Sequence, residues 1–168
     1  MENRFGPLAR VAKVGFVLLI AGISGGCSIG APSTFALNSA SVDSSYTCPT
    51  GVDNAAYELH ATIDLRNGTS NRVTIQSVAA SMTLSAVKGS WLERVGDKYE
   101  ASGITFAPAA ISAGSSASLK VTIPSACTNG EAPAAGTSYG DYSVALVVTA
   151  SSGTYTIQSK NHHRLVAA

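Results

Sequence analysis

The sequence predicts an all-β domain, an antiparallel sandwich or barrel carried behind an N-terminal hydrophobic helix. Three observations predict it. Several stretches of strand length alternate apolar and polar residues, clusters of Gly, Asn and Ser separate them, and no segment beyond the N-terminal one shows a helical period. A chain of 168 residues holds one such domain plus an appendage, because a single core is well supplied by roughly 100 to 150 residues.

The appendage comes first. Met1 to Lys13 carries three cations, a ten-residue apolar run follows from Val14 to Ile23, and Ser24, Gly25 and Gly26 lead to Cys27. Cationic, apolar and small-residue regions in that order make a secretory signal. The ending SGGC resembles the lipobox of bacterial lipoproteins, which implies lipidation of Cys27; Ser24 stands where that family usually has Leu. Two other readings stay open. One is an uncleaved anchor, since no charge appears between Lys13 and Asp43, although the strongly apolar part is short of the ~20 residues that span a bilayer. The other is plain secretion with Cys27 unmodified. The first two readings tether the chain to a membrane, and the cations stay on the cytoplasmic side. Residues 28–45 are small and polar and read as a flexible tether, residues 46–160 as the β-domain, and residues 161–168 as a C-terminal tail.

Within the domain, Tyr57, Leu59, Ala61, Ile63 and Leu65 alternate with polar neighbours, giving the clearest strand. Asn67 to Asn71 reads as a turn, and Val73, Ile75 and the run to Leu84 resume the sheet, so the pair forms a hairpin. Leu119, Val121 and Ile123 alternate up to Pro124. Tyr142, Val144, Leu146 and Val148 alternate in turn, Ser151-Ser152-Gly153 reverses the chain, and Tyr155 and Ile157 return.

Leu65–Asn71 (LRNGTSN), Ile111–Val121 (ISAGSSASLKV) and Gly140–Tyr155 (GDYSVALVVTASSGTY) resemble the repeated phrases of bacterial immunoglobulin-like domains. The resemblance covers roughly residues 55–160 and implies an immunoglobulin-like antiparallel β-sandwich of about seven strands. It implies little about activity, because this architecture hosts adhesion, assembly and scaffold roles alike. Tyr142 is similar to the tyrosine-corner residue of such sandwiches, with Tyr139 as the alternative. With Cys27 lipidated, Cys48 and Cys127 remain to pair in an oxidising compartment. In the immunoglobulin-like topology the strands beside them are antiparallel neighbours, which puts the bridge along one sheet edge. Closing that loop of about 80 residues stabilises by about 4 to 5 kcal/mol in the chain-entropy picture, as an upper figure.

Composition excludes several functions. From Cys27 onward there are 8 Lys and Arg against 9 Asp and Glu, so no basic stripe exists to neutralise phosphates and nucleic acid is not an expected partner. Gly136–Gly140 matches G-x-S-x-G, but a strand follows Ser138 where a nucleophile elbow needs a helix. His162 and His163 are adjacent and point to opposite faces of an extended segment, and with His60 they read as surface histidines. No metal site, cofactor or catalytic residue is expected. Asn67-Gly68-Thr69 is a formal glycosylation acceptor that a bacterial envelope protein usually leaves unmodified.

The segment Lys88–Tyr99 holds the single Trp and a concentration of charge. Trp91, Arg94 and Tyr99 are residue types that anchor interfaces, which makes them a candidate interaction surface. The competing reading is a crossover strand with Trp91 and Val95 capping the core. The expected function is a non-enzymatic, membrane-tethered envelope protein, an accessory or scaffold subunit that contacts other proteins of a larger assembly. The alternative is a carbohydrate- or ligand-binding adhesion domain.

Overall fold

The computed structural model describes residues 34–49, 51–52, 54–127 and 138–167, and these form eleven strands and no helix. The signal segment and Cys27 lie outside the described residues. One sheet runs in the order β1 (Phe35–Val42), β3 (Ala55–Asn67), β8 (Ser116–Cys127), β6 (Thr105–Ala107), all antiparallel. The other runs β2 (Ser45–Cys48), β11 (His163–Ala167), β9 (Tyr139–Ala150), β4 (Val73–Lys88), β5 (Lys98–Glu100). In it β10 (Gly153–Gln158) also lies beside β9, and β7 (Ala110–Ile111) beside β4. The orders β1-β3-β8-β6 and β11-β9-β4 correspond to the ABED and GFC sheets of immunoglobulin-type sandwiches.

The core follows from the alternation. Strands β3 and β8 pair without interruption from Ala55 opposite Cys127 to Arg66 opposite Ser116. Their inward residues Leu59, Ile63, Leu119 and Ile123 are fully buried, as are Leu84, Val144, Leu146 and Val148 of the second sheet. Each such side chain stabilises the fold by about 1.5–3 kcal/mol relative to exposure. The remaining strands close the sides.

There are more strands than the seven or so expected because edge strands change sheets and are cut in two. The chain leaves the first sheet after Val42, and β2 then runs parallel to β11 in the second. It crosses back between β5 and β6, and again between β6 and β7. β10 and β11 lie along one edge of β9, separated by Ser159–His162. On that side Lys160 N donates to Ala40 O (2.9 Å), while the Asn161 amide both donates to Val42 O (2.7 Å) and accepts from Val42 N (3.1 Å). A side-chain amide thus stands in for a strand where the two sheets meet.

Both expected domain limits shift outward. Residues 35–42, assigned to a tether, are β1, with Phe35, Ala40 and Val42 buried. A register shift between Leu37 and Ser39 breaks the two-residue period, which hides the strand from a pattern reading. Residues 163–167, assigned to a tail, are β11, with His163, Leu165 and Ala167 inward.

Cys48 and Cys127 are bonded, with Cα atoms 5.9 Å apart, and they stand 79 positions apart in sequence. The bridge does not follow one sheet edge. It ties the end of β2 in the second sheet to the end of β8 in the first, because the chain changes sheets before reaching Cys48. Strands β3 and β8 are nevertheless the antiparallel neighbours that the resemblance implied.

Asn67 is fully buried and is no glycosylation acceptor in this fold. Its Nδ2 lies 2.8 Å from Asn71 O and 3.1 Å from both Ile111 O and Ser112 O, and its Oδ1 accepts from Thr69 N and Thr69 Oγ1. One side chain therefore satisfies the β3–β4 turn and the segment entering β8. Asn67→Ala leaves several polar groups without partners, and the expected loss is about 2–4 kcal/mol of unfolding free energy in urea. A loss below about 0.5 kcal/mol would contradict this role.

Candidate interaction site at one end of the sandwich

Residues 89–97, between β4 and β5, form a loop of bends and a turn, not a crossover strand. Its base is fastened by Leu84 N to Asp97 O (3.0 Å) and Gly96 N to Leu84 O (2.8 Å). At its β5 end is a turn in which Arg94 N donates to Asp97 Oδ2 (2.8 Å) and Asp97 N to Arg94 O (2.9 Å), with Gly96 at φ +101°. That conformation favours glycine.

Trp91 is half-buried and lies against Gly140 of β9. A Cβ on Gly140 would come within 2.8 Å of the indole Cε2 and Nε1 and 3.0 Å of Leu84 Cδ1, so only glycine lets the ring sit there. Trp91 Nε1 donates to Tyr142 Oη (3.1 Å), and Tyr142 Oη donates to Glu93 Oε2 (3.3 Å). Tyr142 thus engages side chains of the loop where a tyrosine corner would bond to backbone. Tyr139, the alternative corner residue, lies with its ring 3.9 Å from the Arg164 guanidinium, which is held by Asp141 at 2.8 and 2.9 Å.

With the indole turned inward, the other apolar residues of the segment face water. Leu92 is 67% exposed and Val95 59%, and Val87, at the end of β4, is 42% exposed. Val95 therefore does not cap the core. Arg94 is exposed in the turn before β5, whereas Tyr99 is half-buried in β5 with its ring edge-on to Tyr142, centroids 6.4 Å apart. Of the three residues expected at an interaction surface, Arg94 points outward, and Trp91 and Tyr99 support the loop from beneath.

Beside this loop the two sheets part to leave a cleft of about 200 Å³. Met82, Tyr99, Tyr142, Leu165 and Pro124 line it, and the carboxylates of Glu93 and Glu100 border it. Burial, then the charges of Glu93 and Asp97, push the Tyr99 phenol up to about 12. Burial raises Tyr142 further, against the opposing effect of the Trp91 hydrogen bond. Both phenols remain protonated hydrogen-bond donors at any physiological pH.

The sequence features that hinted at chemistry have structural roles. Ser138 is buried, and its Oγ accepts from Ser90 N (3.1 Å) at the loop entrance. His60 is exposed and bonded to Asp43 Oδ2 at 2.9 Å. Among the described residues no group of three or more His, Cys, Asp or Glu could hold a metal ion. His162 is exposed as expected, but His163 is buried and is no surface histidine. Its Nδ1 lies 2.7 Å from Asp43 O, a pure acceptor, so Nδ1 carries the proton. Nε2 is buried without a hydrogen-bond partner among the described residues, and the ring stacks on Tyr57, which stacks on Tyr46.

No family model matches the chain, and no curated protein matches it. Among solved structures, it is similar to the PapD-like domain 7 of human CEP192 at 15% identity, over 96% of each chain, with a TM-score of 0.29. It is also similar to AggA, the major subunit of aggregative adherence fimbriae type I from Escherichia coli, at 10% identity over 80% of this chain and 95% of that one, TM-score 0.36. The CooA pilin subunit from enterotoxigenic Escherichia coli matches at 15% identity over 78% of this chain and 98% of that one, TM-score 0.28. Identities and scores this low imply nothing about what the chain does.

Burial lowers the His163 pKa below its ordinary value, outweighing the Asp43 carbonyl and charge that favour protonation. The unfolded chain therefore binds the proton more tightly. This contribution to stability is complete above the ordinary histidine pKa and is lost as pH falls from there toward the folded value. Urea unfolding from pH 7.5 to 5.5 is expected to show falling stability, with a visibly shallower slope in His163→Phe. Equal slopes for the two proteins would contradict the assignment.

Proposed function

We propose that this chain is a non-enzymatic envelope protein, an accessory or scaffold subunit that docks other proteins through the β4–β5 end of its sandwich. One observation carries the reading. Of the four large apolar residues exposed among the described ones, two, Leu92 and Val95, belong to this loop, and a third, Val87, lies at the end of β4 that leads into it. The loop is not loose at its root, because Trp91 on Gly140 and the Leu84–Asp97 hydrogen bonds hold it. Apolar side chains presented on a fixed loop are what a protein interface uses, since little ordering entropy remains to be lost on docking.

The address agrees. A disulfide between Cys48 and Cys127 persists where thiols are oxidised, which in a bacterium is outside the cytoplasm. Tethering through lipidated Cys27, or through the apolar segment before it, supplies the membrane in this proposal. The carbohydrate-binding alternative has less support, because the indole that would stack on a sugar lies on Gly140 and its N–H is already bonded to Tyr142.

Mild detergent extraction and affinity purification of the full chain tests the proposal. The wild type is expected to bring down a stoichiometric protein partner, and Leu92→Asp/Val95→Asp to lose at least nine-tenths of it while melting within about 2 °C of the wild type, as surface substitutions do. Equal recovery by the double variant, or a wild type that purifies alone, would overturn the reading.

A further inference from the structure

The end of the sandwich opposite the docking loop has a character of its own. The chain enters the fold there: Phe35 of β1 stands opposite Asn67, and Gly68 N donates to Thr34 O (2.9 Å). Three reversals are bonded into the same surface. Asn67 N donates to Ser115 O (2.8 Å) and Gly114 N to Thr69 O (3.2 Å), joining the β3–β4 turn to the loop before β8. Ser151 N donates to Thr74 O (2.8 Å) and Thr74 N to Ser151 Oγ (3.1 Å), joining the β9–β10 turn to the start of β4.

This end is polar and basic. Arg66 and Arg72 are its charges, and no Asp or Glu occurs in residues 34–37, 66–74, 108–117 or 149–155, which build it. Neither arginine has an ion pair among the described residues, and the buried Arg66 Nε finds no hydrogen-bond partner there. Elsewhere cations stand beside acids: Arg164 is held by Asp141, Lys98 by Glu100, and Lys120 and Lys160 lie within electrostatic reach of Asp64. The large apolar residues exposed among the described ones, Val52, Val87, Leu92 and Val95, all lie at the opposite end, where β3 begins and β4 finishes. A basic surface without apolar side chains suits the headgroup plane of an anionic bilayer, on which it lies without inserting.

Chain length brings this end to a membrane. β1 starts at Phe35, so only residues 28–34 separate it from Cys27. Those residues reach about 25 Å at full extension, whereas β4, from Val73 to Lys88, spans about 50 Å. A domain anchored at Cys27 therefore keeps Arg66 and Arg72 within reach of the headgroups. The tether also holds both cations at high effective concentration there, so a weak attraction suffices to orient the domain. Either flat face would instead bring acids to the lipid, Glu58 and Asp64 on one sheet and Asp141 on the other.

We propose that the Arg66–Arg72 end rests on anionic lipid headgroups, so that the β4–β5 loop points away from the bilayer and meets its partner in the aqueous space. The proposal rests on the tethered reading for the nearness of the membrane, and on the charge of this end for the class of lipid.

The test reconstitutes the full chain in phosphatidylcholine vesicles with and without phosphatidylglycerol. A fluorescent amino acid replaces Ser70, exposed in the β3–β4 turn, or Val95, exposed in the docking loop, and lipids spin-labelled on the headgroup quench it at contact. Quenching at position 70 is expected to rise at least threefold with phosphatidylglycerol present, and to stay low at position 95. High salt is expected to remove the rise, as is Arg66→Gln/Arg72→Gln. Arg72→Gln alone, at an exposed position, is expected to remove at least half of it, so the answer stands even if the double variant folds poorly. Equal quenching at position 70 in the two lipids, a rise that survives both high salt and the substitutions, or stronger quenching at 95 than at 70 would overturn the proposal. Flotation separates it from the readings beneath it. A chain that floats with the vesicles but shows no lipid-dependent quenching sinks this proposal alone, and a chain that fails to float sinks the tether and this placement with it. A lipid-dependent rise in a chain that purifies without a partner sinks the docking reading alone.

Discussion

The Trp91 indole rests on Gly140, and the β4–β5 end of the sandwich depends on that contact. Any side chain at position 140 would occupy the space of the ring or press on Leu84. With the ring seated, its N–H reaches Tyr142, Tyr142 reaches Glu93, and the loop from Gly89 to Asp97 has one orientation. The outward placement of Leu92 and Val95 follows from this, as does the fixed carboxylate at the cleft. One close approach between a loop and a central strand thus shapes both the exposed apolar surface and the polar wall beneath it.

The rest of the sandwich supplies a rigid base. Edge strands that change sheets leave few open sides, and where a strand is missing a side chain replaces it: Asn161 mimics backbone between β1 and β11, and Asn67 gathers the opposite turn. The Cys48–Cys127 bridge joins the sheets near the cleft, where β2 and β8 end. The buried Asn67 and the half-buried Asn161 both spend their amides on these bonds, which makes them scaffolding.

The central strands β3, β4, β8 and β9 are legible in the sequence because each keeps its two-residue period over many residues. β1 is not, because a register shift at Leu37–Ser39 moves Ala40 and Val42 out of phase with Phe35. β11 is hidden because five residues beginning with His and Arg carry little pattern, although His163 is buried against Tyr57. The candidate site is half legible. Composition singles out Lys88–Tyr99 as unusual, yet which of its apolar residues turns inward is decided by Gly140, far along the chain. The interaction reading exposes Trp91 and the crossover reading buries Trp91 and Val95 together; packing half-buries Trp91 and leaves Val95 exposed. The cleft lies outside any local pattern, since β4, β5, β8, β9 and β11 each contribute one to three residues to it.

In the proposed role, the loop braced by Trp91 on Gly140 is where the chain meets another protein. The most direct measurement places a photo-crosslinking amino acid at position 92, and in a parallel sample at Thr156, exposed on β10. Both samples are irradiated in native membranes. A covalent adduct with a partner protein at position 92 and none at 156 is the expected result. An adduct at 156 but not at 92, or none at either position, would contradict it.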